Sequence, residues 1–203
     1  MRLIIYIICC FYFISCSSLK HEKEIANLFL YDQLSTKQYE NYKNFDILLF
    51  NNAGSNVNTL GVYEYSFKNR DGCSCRKVNP NDDGSYNIKN WILDSLEIAQ
   101  IKSADKNNKT YFWKKSDFKN FNIAIITSEE NSRNIKSELY LKKKYLLISI
   151  SKPFLIDENN ALIYFNSTLA DGLNLSIEHF GVLLKKVIGN WMRVAFLDDG
   201  IYY

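Results

Sequence analysis

The sequence predicts a single α+β domain with an N-terminal helix and a mainly antiparallel sheet that ends in a C-terminal β-meander. A length of 203 residues leaves room for one domain of ordinary size. Hydrophobic residues make up 47% of the chain and aromatic residues 15%, which is typical of a globular protein. Four segments of β-like composition follow one another in the C-terminal third with short turns between them. Together these observations exclude a disordered chain and favour one core.

The first predicted element is an amphipathic helix over Glu22 to Leu34, at the start of a domain that spans residues 22–203. Its large apolar side chains recur at helical spacing. They are Ile25, Leu28, Phe29 and Tyr31. We therefore expect this helix to pack on the sheet close to the N-terminal end of the domain.

The middle of the chain gives a mixed prediction. Apolar runs bounded by turn residues predict strands over Phe45–Phe50, Leu60–Phe67 and Phe121–Thr127. The polar stretch Lys68–Tyr86 is the longest predicted loop, and Ser132–Lys143 is predicted as a polar helix. Trp91–Ile98 fits a helix or a strand equally well, because its apolar run is short.

The C-terminal third predicts an antiparallel meander. Its four predicted strands are Tyr145–Ser151, Asn160–Asn166, Glu178–Lys186 and Asn190–Leu197. The turn residues between them, such as Ile188-Gly189-Asn190, favour hairpins over helical crossovers. The two-residue period assigns side chains to faces. Leu146, Ile148 and Ile150 share one face of the first strand, and in the last strand Met192, Val194 and Phe196 oppose Trp191, Arg193 and Ala195.

After Met1 and Arg2 the chain has an apolar run from Leu3 to Ile14, which is shorter than the ~20 residues needed to span a bilayer. Phe13-Ile14-Ser15-Cys16 ends this run and resembles a bacterial lipoprotein box, with Phe13 where such boxes usually carry leucine. The resemblance implies that residues 1–15 are a signal peptide, that Cys16 becomes acylated, and that residues 16–21 are the lipidated N-terminus and tether. The alternatives are an ordinary secretory signal and an uncleaved anchor.

A second resemblance covers roughly the C-terminal half. Its residues are Ser151-Lys152-Pro153, Ala161 to Phe165, and Leu183 to Trp191. This stretch is similar to a set of small Bacteroidota lipoproteins and secreted proteins without an assigned activity. The resemblance transfers no catalytic residue. Together the two resemblances imply a lipoprotein of the cell envelope, attached to the outer membrane through lipid at Cys16, on its periplasmic or its surface side.

Five cysteines occur in the sequence, of which Cys73 and Cys75 would remain in the folded domain after signal removal and lipidation. A Cys-x-Cys disulfide closes a small, strained ring and is relatively reducible. Arg76 and Lys77 would favour thiolate chemistry nearby. The pair is therefore a possible disulfide or redox pair, with inert thiols as the alternative. Two thiols do not complete a tetrahedral metal site, so no metal site is predicted.

His179 is the one histidine that the sequence offers for catalysis inside the domain, since His21 lies in the tether region. Asp171 could orient it across a turn, with Ser167 or Thr168 as nucleophile, which would be the minimum for a hydrolase. The alternative is a locally hydrogen-bonded histidine at the start of a strand. No nucleophile elbow accompanies the residue, so no catalytic residue is assigned.

Charge and composition narrow the function classes further. The net charge of +3 provides no concentrated basic face, so nucleic-acid binding is not predicted. Asp198-Asp199-Gly200 is predicted as a terminal turn, because it lacks the spaced oxygen ligands of a calcium loop. No cofactor is predicted. The expected function is a non-catalytic binding or structural module with a possible envelope protein partner; the alternative is an envelope enzyme, either thiol-redox through Cys73 and Cys75 or hydrolytic through His179.

Overall fold

The computed structural model describes residues 20–54, 56–70, 75–77, 91–104, 110–119, 121–172 and 175–200. Within these ranges the chain forms helices and a mostly antiparallel sheet, so the predicted α+β class and the C-terminal β-meander are confirmed. The helices are α1 (20–34), α2 (Asn56–Lys68), α3 (Ser95–Ala104), α4 (Ser128–Lys136) and α5 (Leu139–Lys142). Short 3-10 helices span Lys37–Tyr42 and Lys115–Asp117.

The strands form one sheet. They are β1 (Asp46–Phe50), β2 (Cys75–Lys77), β3 (Ile123–Ile126), β4 (Tyr145–Ile150), β5 (Phe154–Leu155), β6 (Asn160–Ala170), β7 (Leu175–Val187) and β8 (Asn190–Leu197). The strand order is β2-β8-β7-β6-β4-β1-β3, and β5 pairs with β6 off this path. Strand β1 pairs in parallel with both β3 and β4, whereas the other pairs are antiparallel.

Helix α1 covers one face of the sheet. The predicted helix is confirmed, and Ile25 and Phe29 lie in the main core with Phe165 and Val182 of the sheet. The core-facing stripe differs from the predicted one, because Leu28 and Tyr31 are exposed. Ala26, Leu30 and Gln33 are buried in their place. A stripe through positions 22, 25, 26, 29, 30 and 33 follows the helical period more closely than the four large side chains do.

An ion pair between the half-buried Lys23 and the buried Asp117 fixes α1 to the segment before β3. Lys23 Nζ lies 2.6 Å from Asp117 Oδ1, and the Tyr111 hydroxyl donates to Asp117 Oδ2 at 3.0 Å. Burial alone would raise the pKa of Asp117, but hydrogen bonds from Lys23, the Lys114 amide and Tyr111 lower that pKa below its ordinary value. Asn27 adds a side-chain bond to the Asp117 carbonyl at 2.7 Å.

Helices α2 and α3 cover the opposite face beside β6, β7 and β8. The strand predicted over Leu60–Phe67 is wrong, because these residues lie inside α2. Leu60 and Tyr63 enter a second core cluster with Leu162 and Leu183 of the sheet. Gly181 lets α2 approach closely, since a Cβ there would lie 2.8 Å from Val62 Cγ1.

Trp91–Ile98, which the sequence left open, splits at Asp94. Residues 91–94 are a turn, and α3 begins at Ser95. Asp94 Oδ1 accepts from the Glu97 amide at 2.9 Å, and Glu97 Oε2 accepts from the Asp94 amide at 2.8 Å. This reciprocal capping starts the helix. The Tyr63 hydroxyl accepts from the Leu93 amide at 3.0 Å and so ties the turn to α2.

The crossover between the parallel strands β3 and β4 contains two short helices rather than the one predicted over Ser132–Lys143. Thr127 and Glu130 form a capping box that starts α4. Glu138 has a φ of 56° and separates α4 from α5. Tyr140 of α5 then packs with Leu147 of β4 in a third cluster.

The face assignment predicted for β8 is only half correct. Trp191 and Arg193 share the α1 face, but Leu183 pairs with Ala195 and Leu184 with Arg193, which leaves Val194 as a bulge. Beyond it the alternation is reversed: Phe196 joins Trp191 at the main core, and Ala195 joins the second cluster. In β4 the assignment is confirmed, since Leu146, Ile148 and Ile150 are all buried in the main core.

In the part of the chain that the structure describes, no helix is both long enough and apolar enough to cross a membrane.

Candidate functional site

Two clusters of polar side chains lie on opposite faces of the sheet. They are centred on two adjacent residues of β7, Glu178 and His179. Glu178 pairs with Ser167, and His179 pairs with Asn166. Directly paired residues share a face of a sheet, and successive residues of a strand point to opposite faces. Glu178 and Ser167 therefore face α1, whereas His179 faces the side covered by α2.

His179 forms a histidine–carboxylate pair with Asp199, just beyond the end of β8. Nδ1 lies 2.8 Å from Asp199 Oδ2, and the Tyr164 hydroxyl donates to the same oxygen at 3.1 Å. Both side chains of the pair are largely buried. Because a carboxylate only accepts hydrogen bonds, Nδ1 is the donor in this contact.

This pair has the orienting half of a catalytic triad but not the predicted partners. The carboxylate at Nδ1 belongs to Asp199 rather than Asp171. Ser167 is 0% exposed and faces the opposite side of the sheet. The Thr168 hydroxyl contacts Asn166 Oδ1 at 3.5 Å. Because Ser167 is buried on the opposite face, His179 cannot activate it as a nucleophile.

On the α1 face, a chain of hydrogen bonds runs through the core. The Tyr39 hydroxyl lies 2.5 Å from Ser167 Oγ and donates to Glu178 Oε2 at 2.8 Å. Since the single phenolic proton points at Glu178, Ser167 donates to Tyr39. Gln33 Nε2 donates to the same Glu178 oxygen at 2.7 Å. The network thus joins α1, the first 3-10 helix, β6 and β7.

Arg193 of β8 extends this network to the surface. Its guanidinium donates to Gln33 Oε1 at 2.8 Å and pairs with Asp32 Oδ2 at 2.7 Å. Burial raises the pKa of Tyr39, so the phenol stays protonated at neutral pH. Each named polar group is used to hold one element against another.

The other predicted site residues lie largely outside the described part of the chain. Cys16 and Cys73 fall there. Cys75 opens β2, where its backbone pairs with Leu197. Neither the lipidation of Cys16 nor the Cys73–Cys75 pair is therefore tested. Within the described residues, no three His, Cys, Asp or Glu side chains converge as metal ligands would.

The predicted terminal turn at Asp198-Asp199-Gly200 is present. Asp198 Oδ1 accepts from the Gly200 amide at 2.9 Å, and Gly200 has a φ of +75°. Asp198 thus forms the turn, and Asp199 is left to bind His179.

In addition to these largely buried networks, the end of the β7–β8 hairpin carries an unusual surface turn. Val187 pairs with Asn190, and the two residues between them, Ile188 and Gly189, have φ of +50° and +81°. Positive φ at both central residues is the geometry of a type I′ turn, which normally carries Asn-Gly. A β-branched residue in this region costs about 1–2 kcal/mol, yet Ile188 is 97% exposed.

The hairpin tip lies at the same end of the molecule as His21 of α1. The His21 ring meets the Trp191 ring edge-on, with centroids 5.9 Å apart, and Trp191 pairs with Lys186 one position from the turn. Sequence reasoning identified Ile188-Gly189-Asn190 as a turn but not the strain in it. The sequence does indicate this strain, since isoleucine occupies the position at which such a turn prefers asparagine.

Searches of protein-family models, of curated proteins and of solved structures find no match to this chain.

Proposed function

We propose that this chain is a lipid-anchored, non-catalytic module of the cell envelope, attached to the outer membrane through Cys16, that binds a partner or supports the envelope. The observation that carries the proposal is the burial of residues that follow Cys16 closely in the sequence. The structure describes helix α1 from residue 20 onward, and Glu22 and Ile25, six and nine residues after Cys16, are already buried in the core. A lipid at Cys16 would therefore hold the whole domain against the membrane surface.

The use of the polar side chains supports a non-catalytic module. Ser167, Tyr39 and Gln33 are buried and spend their hydrogen bonds on other elements of the fold. A catalytic group has to meet its substrate, and a group that is buried for packing does not. Binding would then use the exposed surface.

Lipidation is tested in cells by Cys16→Ala and by an inhibitor of the lipoprotein signal peptidase. We expect both to leave an unprocessed, larger species, and mass spectrometry of the wild-type N-terminal peptide to show acyl chains on Cys16. Cys10→Ser is the matched control, because Cys10 would leave with the signal. If the wild-type protein carries no lipid and Cys16→Ala changes neither its size nor its membrane fraction, the proposal is wrong.

A partner is tested by cross-linking in intact envelopes followed by affinity purification. A binding module should retain the same envelope protein in repeated purifications, and the Cys16→Ala protein should lose it. Recovery of lipid alone would favour envelope support over protein binding.

A second candidate function is hydrolysis with His179 as general base. The 2.8 Å contact between His179 Nδ1 and Asp199 favours it, because it fixes the ring for proton transfer at Nε2. A panel of ester and amide substrates should then give a rate that His179→Ala and Asp199→Asn abolish and His21→Ala leaves unchanged. A panel without turnover eliminates this candidate.

The thiol-redox alternative is supported only by the sequence around Cys73 and Cys75. Titration of free thiols in the wild-type protein and in Cys73→Ser tests it.

A further inference from the structure

We propose that the tip of the β7–β8 hairpin inserts into the bilayer beside the lipid anchor, with Ile188 as its deepest side chain. The inference rests on the proposed attachment through Cys16. We define the hairpin tip as Val187, Ile188, Gly189, Asn190 and Met192.

The first argument is the exposure of apolar side chains at this tip. Ile188 is 97% exposed and Met192 54%, and Val187 is also exposed. Exposed apolar residues are common when they stand alone. Here three lie within six residues at the end of one hairpin, so they form a cluster rather than isolated exposed side chains.

The second argument is the strain at Ile188. Its φ of +50° is unfavourable for a β-branched residue, and the side chain makes up for little of this by packing, because almost all of it faces solvent. Asparagine would adopt the same backbone at lower cost. A locally unfavourable residue without a structural benefit indicates a function outside the fold. Burial of the isoleucine side chain in lipid would provide that benefit.

The third argument is position. Four residue steps separate Cys16 from Lys20, and an extended chain covers at most about 14 Å over that length. His21 contacts Trp191 with ring centroids 5.9 Å apart, and Trp191 is three residues from Ile188. An acyl chain on Cys16 therefore brings the hairpin tip to the same patch of membrane.

Charge plays a minor part at this end of the molecule. Lys20 and Lys185 are exposed and Lys186 lies over the Trp191 ring, which suits anionic headgroups. The acidic residues Asp157 and Glu158 are exposed in the neighbouring turn, next to Asn159, whose carbonyl accepts from the Lys186 amide. The charges largely offset each other, so apolar insertion dominates and zwitterionic membranes should bind as well.

A bilayer fits this surface better than a protein does. A stable protein interface needs about 800 Å² from each partner, and a two-residue turn is small and convex. Lipid chains reorganise around such a protrusion, whereas a protein would need a matching pocket. We therefore assign the tip to the membrane and leave self-association as an outcome of the test.

The test measures vesicle binding of the non-lipidated chain from residue 17, which keeps every described residue and lacks both the signal and the acyl chains. It is sedimented with phosphatidylcholine vesicles, with and without phosphatidylglycerol. We expect weak partitioning that Ile188→Asn lowers about tenfold, the value for losing most of one buried aliphatic side chain. Ile188→Leu should retain it. The thermal midpoint of Ile188→Asn should equal or exceed that of the wild type, because asparagine tolerates the turn, and this excludes misfolding as the cause.

Leu175→Asn is the matched control. Leu175 is also exposed, at 55%, but it begins β7, twelve residues and about 40 Å from the end of the strand that carries the tip. It should not change partitioning. If the wild-type chain does not bind vesicles, or if Ile188→Asn and Leu175→Asn behave alike, the inference is wrong. A dimer that forms without vesicles and is lost in Ile188→Asn would also overturn it. Mass spectrometry of Cys16 reports separately on the anchor, so its failure is distinguishable from failure of the tip.

Discussion

Replacement of Tyr39 by phenylalanine should lower the free energy of unfolding by about 3 kcal/mol. The substitution removes one oxygen atom from a site where Tyr39 and Ser167 are both buried. It deletes a hydrogen bond to the Glu178 carboxylate, worth about 1.5–3 kcal/mol, and leaves the Ser167 hydroxyl without its acceptor, at a further cost of about 1–3 kcal/mol. Gln33 still donates to Glu178, so the expected loss of unfolding free energy lies at the lower end of the range that these two contributions give together.

Urea denaturation followed by tryptophan fluorescence measures this change on the chain from residue 17. A loss of about 3 kcal/mol corresponds to a thermal midpoint lower by roughly 6–12 °C for a domain of this size. Tyr31→Phe is the matched control, because Tyr31 is an exposed tyrosine of α1, and it should change stability by less than about 0.5 kcal/mol.

A double-mutant cycle separates the two contributions. Adding Ser167→Ala to Tyr39→Phe removes the orphaned hydroxyl, so the double variant should be less destabilised than the two single changes added together, by about 1–2 kcal/mol. A loss below about 1 kcal/mol for Tyr39→Phe, or strict additivity in the cycle, would falsify the network as a stabilising unit.

Two further predictions concern the packing of α2 and the docking of α1. Gly181→Ala should cost about 1–3 kcal/mol, since its Cβ would lie 2.8 Å from Val62 Cγ1. Gly61→Ala, one residue before Val62 in α2, has open space for the added Cβ and should stabilise α2 by up to about 1 kcal/mol; midpoints of the two variants that move in the same direction in denaturant contradict this. The lowered pKa of Asp117 predicts stability that is fully present above the ordinary carboxyl pKa of about 4 and is lost as the pH falls through the lower pKa of the folded state. Asp117→Asn should therefore be less stable at neutral pH and show a flatter acid profile; an unchanged profile would show that the pair with Lys23 is unimportant.

The C-terminal strands could be predicted because their information is local. In β4 the apolar side chains alternate and turn residues follow, and β8 has the predicted bounds Asn190–Leu197. The same composition rule failed for α2. Leu60 to Phe67 is rich in apolar and aromatic residues, as a strand would be, and only the burial of Thr59, Leu60, Tyr63 and Ser66 reveals a helical stripe. Tertiary packing overrode composition there.

The partner of His179 was partly within reach of the sequence. With a two-residue turn at Ile188-Gly189, a regular hairpin would place Asp198 opposite His179. The bulge at Val194 shifts the register by one residue, so that Gly181 pairs with Leu197 and Asp199 comes opposite His179. A bulge has no reliable sequence signature, which is why Asp171 seemed as plausible. The contacts of Arg193 with α1 lie still further from sequence reasoning, because they join residues about 160 positions apart.

The buried polar residues Tyr39 and Ser167 and the exposed turn residue Ile188 lead to opposite expectations for stability and for vesicle binding. Measuring both quantities for variants at these positions shows which residues serve the fold and which serve binding. Tyr39 and Ser167 break the rule against buried polar groups, but each is satisfied within the fold, so a change there should affect stability and leave vesicle binding intact. Ile188 breaks the rule for a turn, and almost all of its side chain faces solvent, so Ile188→Asn should affect binding and leave stability intact or improved. If instead Tyr39→Phe abolished binding at full stability, the network would be the functional site and the hairpin tip merely a poor turn.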